Sequence, residues 1–200
     1  MTLLEERPAE TFPEESISVL ETGRLMLRVP RMDDARSIAA LANDLRIARN
    51  TTRIPHPYSL VDAEAWLAAV NKAEGERTFL ITLADGTVIG ACGFELRDGR
   101  IPELGYWLGV PFWGRGHATE AVRAVIDHAF ADLGHAALHA GARVSNPASR
   151  RVLEKCGFQW TGVGLYRIRA LASSAPVDRF RLDRGIWASL KSWSNVKRIA

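Results

Sequence analysis

A glycine-rich segment, residues 111–119, has residue types that suit the binding of phosphate groups. Gly114 and Gly116 let the backbone turn sharply and leave its N–H groups uncovered. A strand pattern precedes the segment and a helix pattern follows it, and the free N–H groups and dipole at a helix N-terminus attract anions. An isolated Gly-x-Gly indicates only a turn, but this context predicts a phosphate site formed by backbone groups.

The segment differs from the common nucleotide-binding motifs. It lacks the Gly-x-x-x-x-Gly-Lys-Ser/Thr pattern of ATP- and GTP-binding loops. Thr119 stands where the Gly-x-Gly-x-x-Gly motif of dinucleotide-binding folds needs its third glycine. The segment therefore predicts a phosphorylated cofactor of another kind.

Residues 146–158 form a second segment with candidate chemistry. Asn146 suits a helix N-cap, Pro147 suits the first helical position, and Gly157 suits the residue after the helix end. Helix formation explains these three residues but not Ser149, which many other helix formers could replace. Ser149 is therefore a candidate functional residue.

The elements that must position these segments alternate between helices and strands. Alternation of Leu25, Leu27 and Val29 predicts an early strand, and Asp85-Gly86 predicts a β-hairpin. The patterns predict helices at 33–47, 61–72, 116–133 and 147–156, and strands at 17–20, 24–29, 78–83, 87–96, 101–110, 137–144, 159–171 and 180–187. We also expect a turn at Asp98-Gly99 and a looser linker at 173–176. This order predicts an α/β (α+β) fold with one mixed sheet.

Composition limits the possible classes of protein. A chain of 200 residues suits one domain, here 17–200, preceded by a poorly ordered leader at 1–16. The net charge of +3 is too small to indicate nucleic-acid binding. Cys92, Cys156 and the five histidines lack metal-ligand spacing, so no metal site is expected. We see no signal peptide and no apolar run long enough to span a membrane, which predicts a cytoplasmic protein.

Four motifs in this order resemble the GCN5-related N-acetyltransferase (GNAT) family. They are TGRLMLR at 22–28, LGYWL at 104–108 followed by WGRGHATEA at 113–121, NPASRRVLEKCGF at 146–158, and RFRL at 179–182. The second motif resembles the ribosomal-protein N-terminal acetyltransferase (RimJ/RimL-type) branch in particular. The likeness covers roughly residues 20–190. The generic family pattern has Gln or Arg where this chain has Trp113.

The resemblance implies that two central strands splay apart and that acetyl-CoA lies between them. It implies a β-bulge near Gly105 and backbone bonds from Trp107, Leu108 and Val110 to the pantetheine arm. The pyrophosphate would be held by Trp113, Gly114, Arg115, Gly116, His117 and Ala118, and the pantetheine amide by Asn146.

Acetyl transfer needs a free amine, a proton acceptor and a donor near the leaving thiolate. Glu103 is the candidate base, acting directly or through water, although a surface glutamate at a strand start is an equal alternative. The branch resemblance implies that Ser149 donates to the coenzyme sulfur. Strand alternation predicts that Tyr106 points away from the cleft into the core, and we expect His117 to face solvent.

The resemblance leaves the acceptor open. A protein N-terminal amine is the leading expectation, since its pKa of roughly 8 needs less help than the roughly 10.4 of a lysine. The alternatives are a small amine, such as a polyamine, amino acid or antibiotic, and a non-catalytic acyl-CoA sensor. No nucleic-acid or membrane partner is expected, and a monomer and a homodimer are both compatible with the sequence.

Overall fold

The computed structural model describes residues 19–72, 77–97 and 101–194. The expected leader and the expected Asp98-Gly99 turn lie outside these ranges. The strands are β1 Val19–Glu21, β2 Leu25–Arg28, β3 Arg77–Leu83, β4 Val88–Arg97, β5 Ile101–Leu108, β6 Ala137–Arg143, β7 Gln159–Ile168 and β8 Ser173–Asp183. The helices are α1 Ala35–Ala42, α2 Leu45–Ala48, α3 Leu60–Val70, α4 His117–Asp127, α5 Pro147–Lys155 and α6 Arg184–Ser194.

The eight strands form one mixed sheet in the order β1-β2-β3-β4-β5-β6-β8-β7. Neighbouring strands are antiparallel except β5 and β6, which are parallel. These two strands pair only at Glu103↔His139 and Leu104↔Ala140. Beyond those pairs the strands separate, which confirms the expected mixed sheet with splayed central strands.

Helices cover both faces of the sheet, and the alternation of β5 determines which side chains face each layer. Leu104, Tyr106 and Leu108 pack in the core beneath α4 and α5. Trp107 packs in the smaller cluster with α1 and α3. Side chains on opposite faces of β5 therefore reach different walls of the gap beside it.

Local pairing confirms several of the predicted elements. Gly86 has a φ of 84° in the β3–β4 hairpin, where the Thr87 N–H donates to Asp85 Oδ1 at 2.9 Å. Gly157 ends α5 with a φ of 91°. The predicted strands on either side of the hairpin and the predicted α5 occupy nearly the expected residues.

The N-terminal helical region is more interrupted than predicted. The expected helix at 33–47 is divided into α1 and α2, because the side chain of Asp44 caps a new helix by accepting the N–H of Arg46 at 2.8 Å. Just before α1, both carboxylate oxygens of Asp34 accept hydrogen bonds from the Arg28 guanidinium, at 2.6 and 2.9 Å. This pair ties β2 to the start of α1.

Two predictions for the second half of the chain were wrong. Residues 173–176 are not a linker, because they form the paired start of β8 opposite β7. Residues 184–187 are not a strand but the first turn of α6, whose Ile186 and Trp187 pack on the main core. The expected helix at 116–133, by contrast, is confirmed: α4 covers His117–Asp127 and continues as a π-helical turn at His128–Asp132.

The expected bulge at Gly105 is also absent from the β4–β5 ladder, which runs without a register shift from Gly90↔Leu108 to Arg97↔Ile101. Gly105 pairs directly with Gly93, so the backbone there needs no extra residue. Within the described ranges, no helix is long and apolar enough to cross a membrane.

Candidate functional site

A cleft of about 930 Å³ lies where β5 and β6 separate. Its walls extend from the turn before α4 to the loop that joins α2 to α3. The cleft is lined by all but two of the residues expected to bind a cofactor or act in catalysis; Val110 and Arg115 lie beside it in the chain. The predicted site residues are thus gathered in one place.

We call residues 113–118 the phosphate loop. Gly114 and Gly116 have φ values of 75° and 80°, which only glycine adopts readily, and Gly116 is the N-cap of α4. The indole N–H of Trp113 donates to the carbonyl of Leu108 at 2.7 Å. This bond fixes the start of the loop to the end of β5 and takes up one acceptor site of the Leu108 carbonyl.

A cluster of hydrogen bonds ties the phosphate loop and α4 to the turn between β1 and β2. Glu120, in the first turn of α4, accepts the Thr22 hydroxyl at 2.7 Å and the Arg24 N–H at 2.9 Å. The Arg24 guanidinium connects this carboxylate to the loop. Its Nε donates to Glu120 Oε2 at 2.7 Å, and its Nη1 donates to the Arg115 carbonyl at 3.0 Å. Burial raises the pKa of Glu120, but these bonds outweigh it and lower the pKa overall. Glu120 therefore stays charged and holds the loop.

His117 does not face solvent as expected, because its side chain is only 7% exposed. It is the first residue of α4 and lines the cleft. The imidazole is therefore part of the cleft wall, and its buried Nδ1 has no hydrogen-bond partner in the described parts of the chain.

The N-terminus of α5 brings Ser149 into contact with β5. Asn146 caps this helix, its Oδ1 accepting the Ser149 N–H at 3.2 Å. The Ser149 Oγ lies 2.8 Å from the hydroxyl oxygen of Tyr106, and either hydroxyl can be the donor. Asn146 thus performs the predicted capping role, and Ser149 is held between the cleft and a tyrosine.

Sequence reasoning missed Tyr106. Its ring does pack against the core as alternation predicts, but its hydroxyl reaches Ser149 and the cleft. Burial raises the pKa of Tyr106 well above its ordinary value, although the bond with Ser149 acts in the opposite direction. The phenol is therefore neutral at physiological pH. Its signal in the sequence was its position on the strand face that meets α5.

Glu103 lies across β5 from this pair of hydroxyls. It shares a face of the strand with Gly105 and Trp107 and is partly buried in the cleft wall. A side chain at Gly141 on β6 would place its Cβ 3.8 Å from Glu103 Oε1. A Cβ at 141 would thus lie at van der Waals distance from this carboxylate, so Gly141 and Glu103 face each other across the gap.

The far end of the cleft, which we call the acceptor end, is bounded by the loop 49–58 and by the ends of β6 and β7. Tyr58 is buried there, and burial together with the charge of Asp62 raises its pKa to about 12. The Arg169 N–H donates to the Thr52 carbonyl at 3.1 Å and fixes the loop against the turn after β7. The acceptor end is thus an ordered wall of the cleft that includes the charged residues Asp62 and Arg169.

The two cysteines have a packing role. Cys92 and Cys156 are both buried and unpaired, and burial raises the pKa of Cys156 to about 11. A thiol with a raised pKa is a poor nucleophile at neutral pH. No cluster of metal-ligating side chains occurs in the described parts of the chain.

Comparison with known proteins agrees with this architecture. The family model "Acetyltransferase (GNAT) domain" matches residues 24–159. The uncharacterized N-acetyltransferase p20 of Bacillus licheniformis is 30% identical over 154 residues, which cover 74% of this chain and 85% of p20.

Solved structures share the fold at lower sequence identity. RimL, a ribosomal L7/L12 α-N-protein acetyltransferase in complex with coenzyme A, has a TM-score of 0.74 at 16% identity and covers 82% of this chain and 97% of RimL. A spermidine N-acetyltransferase SpeG chimera from Vibrio cholerae and hSSAT has a TM-score of 0.70 at 22% identity and covers 82% and 98% of the two chains. The chain therefore belongs to the GNAT family and is an acetyl-CoA-dependent N-acetyltransferase.

Proposed function

We propose that this acetyltransferase modifies a primary amine in the cleft between β5 and β6, and that the amine is a protein N-terminus. The observation that carries the proposal is the arrangement of one continuous cleft, with the phosphate loop at one end and Glu103 opposite Ser149 in the middle. This arrangement fits a cofactor with an anionic end and a reactive thioester end.

Three features support acetyl-CoA binding. The phosphate loop offers backbone N–H groups at the N-terminus of α4, beside the buried His117. Beyond Leu104, the edge of β5 that faces β6 has no strand partner, so backbone groups on that edge are open to the pantetheine arm. Of the residues expected to bind the arm, Trp107 and Leu108 lie in this part of β5 and Val110 follows it. The Oδ1 of Asn146 caps α5, which leaves its Nδ2 to donate to a pantetheine carbonyl.

Acetyl-CoA, when bound, supplies a thioester carbonyl for amine attack and a thiolate leaving group. Glu103 accepts the proton of the attacking amine, directly or through a water molecule. The Ser149 hydroxyl donates to the sulfur, and Tyr106 holds Ser149 by donating to its Oγ. Because a serine hydroxyl is a weak acid, its contribution is a hydrogen bond to the thiolate and not full proton transfer.

An N-terminal amine suits a site with one general base. At roughly pH 7 an α-amine is far less protonated than a lysine or polyamine nitrogen. The structural likeness to RimL, whose described substrate is a protein α-amine, supports the same choice. The likeness to SpeG keeps a small polyamine as the second candidate.

Calorimetric titration with acetyl-CoA tests the cofactor, with NAD and ATP as controls. We expect selective binding of acetyl-CoA, and a folded protein that fails to bind it would refute the assigned cleft. Release of free CoA thiol in the presence of N-terminal peptides or spermidine then tests the acceptor. Faster turnover of spermidine would replace the protein acceptor by the polyamine, and binding without turnover of any amine would favour an acyl-CoA sensor.

A further inference from the structure

Four arginines line the acceptor end of the cleft, and their charges are not compensated equally: Arg46, Arg53, Arg143 and Arg169. Arg46 forms an ion pair with Asp44 at 2.6 Å. Arg53 is in contact with the carboxylate of Glu95. Arg143 and Arg169, by contrast, have no carboxylate within ion-pair distance among the described residues.

Arg143 lies close to the candidate base. It is the last residue of β6 and shares a strand face with Gly141, the residue in front of Glu103. Because a strand rises roughly 3.3 Å per residue, the Cα of Arg143 is about 7 Å beyond that of Gly141. An amine at Glu103 and a group bound to Arg143 could therefore belong to one small part of an acceptor.

The guanidinium of Arg143 is only partly satisfied. Its Nη1 donates to the Arg49 carbonyl at 2.7 Å, which anchors the side chain to the loop at the acceptor end. Its Nε is buried and has no hydrogen-bond partner in the part of the chain that the structure describes. Arg143 is half-buried and lines the cleft, so a guanidinium without a counter-charge there favours a ligand that supplies the anion.

We propose that the acceptor carries an anionic group, a carboxylate or a phosphate, close to its amine, and that this group binds Arg143. The inference rests on the proposed acetyltransfer at this cleft and adds the chemical class of the acceptor. A guanidinium fits both oxyanions well, because its planar N–H donors match two oxygens at once. The phosphates of the cofactor are not this anion, since the phosphate loop lies at the opposite end of the cleft.

The same charge works against polycationic acceptors. A polyamine bound with one nitrogen at Glu103 would bring a second cation towards Arg143, where like charges repel. An acidic residue next to a peptide N-terminus would instead place its carboxylate there. Among protein acceptors, those with an acidic or phosphorylated second residue are therefore preferred.

Initial rates with tripeptides test this preference. The peptides share a free N-terminal alanine and an amidated C-terminus, and their second residue is Asp, phosphoserine, Asn or Lys. We expect kcat/KM to be about 10- to 100-fold higher for the anionic peptides than for the Asn peptide, because hydrogen bonds to charged groups contribute more than neutral ones. The Lys peptide should be the poorest acceptor. A ratio near one between the Asp and Asn peptides overturns the proposal, while turnover of either peptide upholds the acetyltransferase activity.

Variants assign the preference to one side chain. Arg143→Gln should reduce the Asp/Asn ratio to about one, and Arg143→Lys, which keeps the charge, should retain part of it. Arg46→Gln is the matched control, since Arg46 lines the same end but is already paired with Asp44; it should keep the wild-type ratio. A wild-type ratio in a folded Arg143→Gln protein assigns the preference to another residue and overturns the inference.

If none of the peptides is acetylated, calorimetry with the CoA-bound protein decides the question. Tighter binding of the Asp and phosphoserine peptides than of the Asn peptide supports an anionic acceptor even without turnover. Equal binding overturns it. Failure of the anion site and failure of the proposed catalysis thus give different results.

Discussion

The hydroxyl pair between Tyr106 and Ser149 predicts a specific kinetic defect for Tyr106→Phe. The substitution removes one oxygen that lies 2.8 Å from Ser149 Oγ and keeps the partly buried ring. A neutral hydrogen bond contributes about 0.5–1.5 kcal/mol net. If the bond stabilises the transition state of acetyl transfer by this amount, its loss lowers kcat roughly 2- to 13-fold.

The other kinetic parameters should change little. The removed hydroxyl does not contact the phosphate loop, so the KM for acetyl-CoA should stay near the wild-type value. Because burial keeps the phenol neutral, the loss should not vary with pH across the neutral range. Stability should fall by about 1 kcal/mol, which lowers the melting temperature by roughly 2–4 °C for a chain of this size.

The assay measures release of free CoA thiol at saturating amine while acetyl-CoA is varied. Ser149→Ala provides the second arm of a double-mutant cycle. If Tyr106 acts through Ser149, adding Tyr106→Phe to Ser149→Ala should not lower kcat further. An equal fall in both backgrounds would refute this route, and an unchanged kcat in the single variant would remove Tyr106 from the site.

Four further predictions concern the phosphate loop, the base and acid stability. Arg24→Gln should raise the KM for acetyl-CoA about tenfold at nearly constant kcat, because a lost hydrogen bond to a charged group costs about 1.5 kcal/mol or more. The control is Arg181→Gln, which loses a 2.6 Å ion pair outside the cleft and should leave the KM for acetyl-CoA unchanged. Gly116→Glu puts a side chain and a negative charge at a φ of 80° beside the phosphates, so calorimetry should show weaker acetyl-CoA binding by a folded protein. Glu103→Gln should move the rise of the pH–rate profile to higher pH, and an unchanged profile would eliminate this base. Burial raises the pKa of Asp34, but hydrogen bonds from its arginine partner lower the pKa overall. The ion pair therefore stabilises the fold above the unfolded-state pKa of about 3.9, and this stabilisation is lost as the pH falls further. In urea unfolding measured at several pH values, Asp34→Asn should reduce the loss of unfolding free energy at acid pH.

Local patterns predicted the elements whose ends are encoded by neighbouring residues. The Asp85-Gly86 hairpin and the Asn146 cap both depend on contacts within three residues. Glycines that must adopt positive φ, such as Gly116, are likewise visible in the sequence. These are the features that lead to the phosphate loop and to Ser149.

Features that depend on distant residues were not predictable. Glu120 and Thr22 are 98 residues apart, and nothing in the local sequence of either indicates their bond. The bond from Tyr106 to Ser149 likewise joins residues 43 apart and depends on where α5 lies over the sheet. Ile186 and Trp187 extend the apolar pattern of β8 and suggest a longer strand, but both lie beyond its last paired residue, in the first turn of α6.

The short contact between β5 and β6 gives the sheet a mechanical seam. Strands β1–β5 and the group β6–β8 share two residue pairs of backbone ladder, and elsewhere they are joined by helix packing and by loop contacts such as the hydrogen bond from the Arg169 N–H to the Thr52 carbonyl. Under a stretching force, these two residue pairs bear a force that the β4–β5 and β6–β8 ladders distribute over many more pairs. A molecule bound along the open edge of β5 contacts both groups of strands and strengthens the connection between them. The ligand-bound and ligand-free protein should therefore unfold at different forces even though the fold is the same.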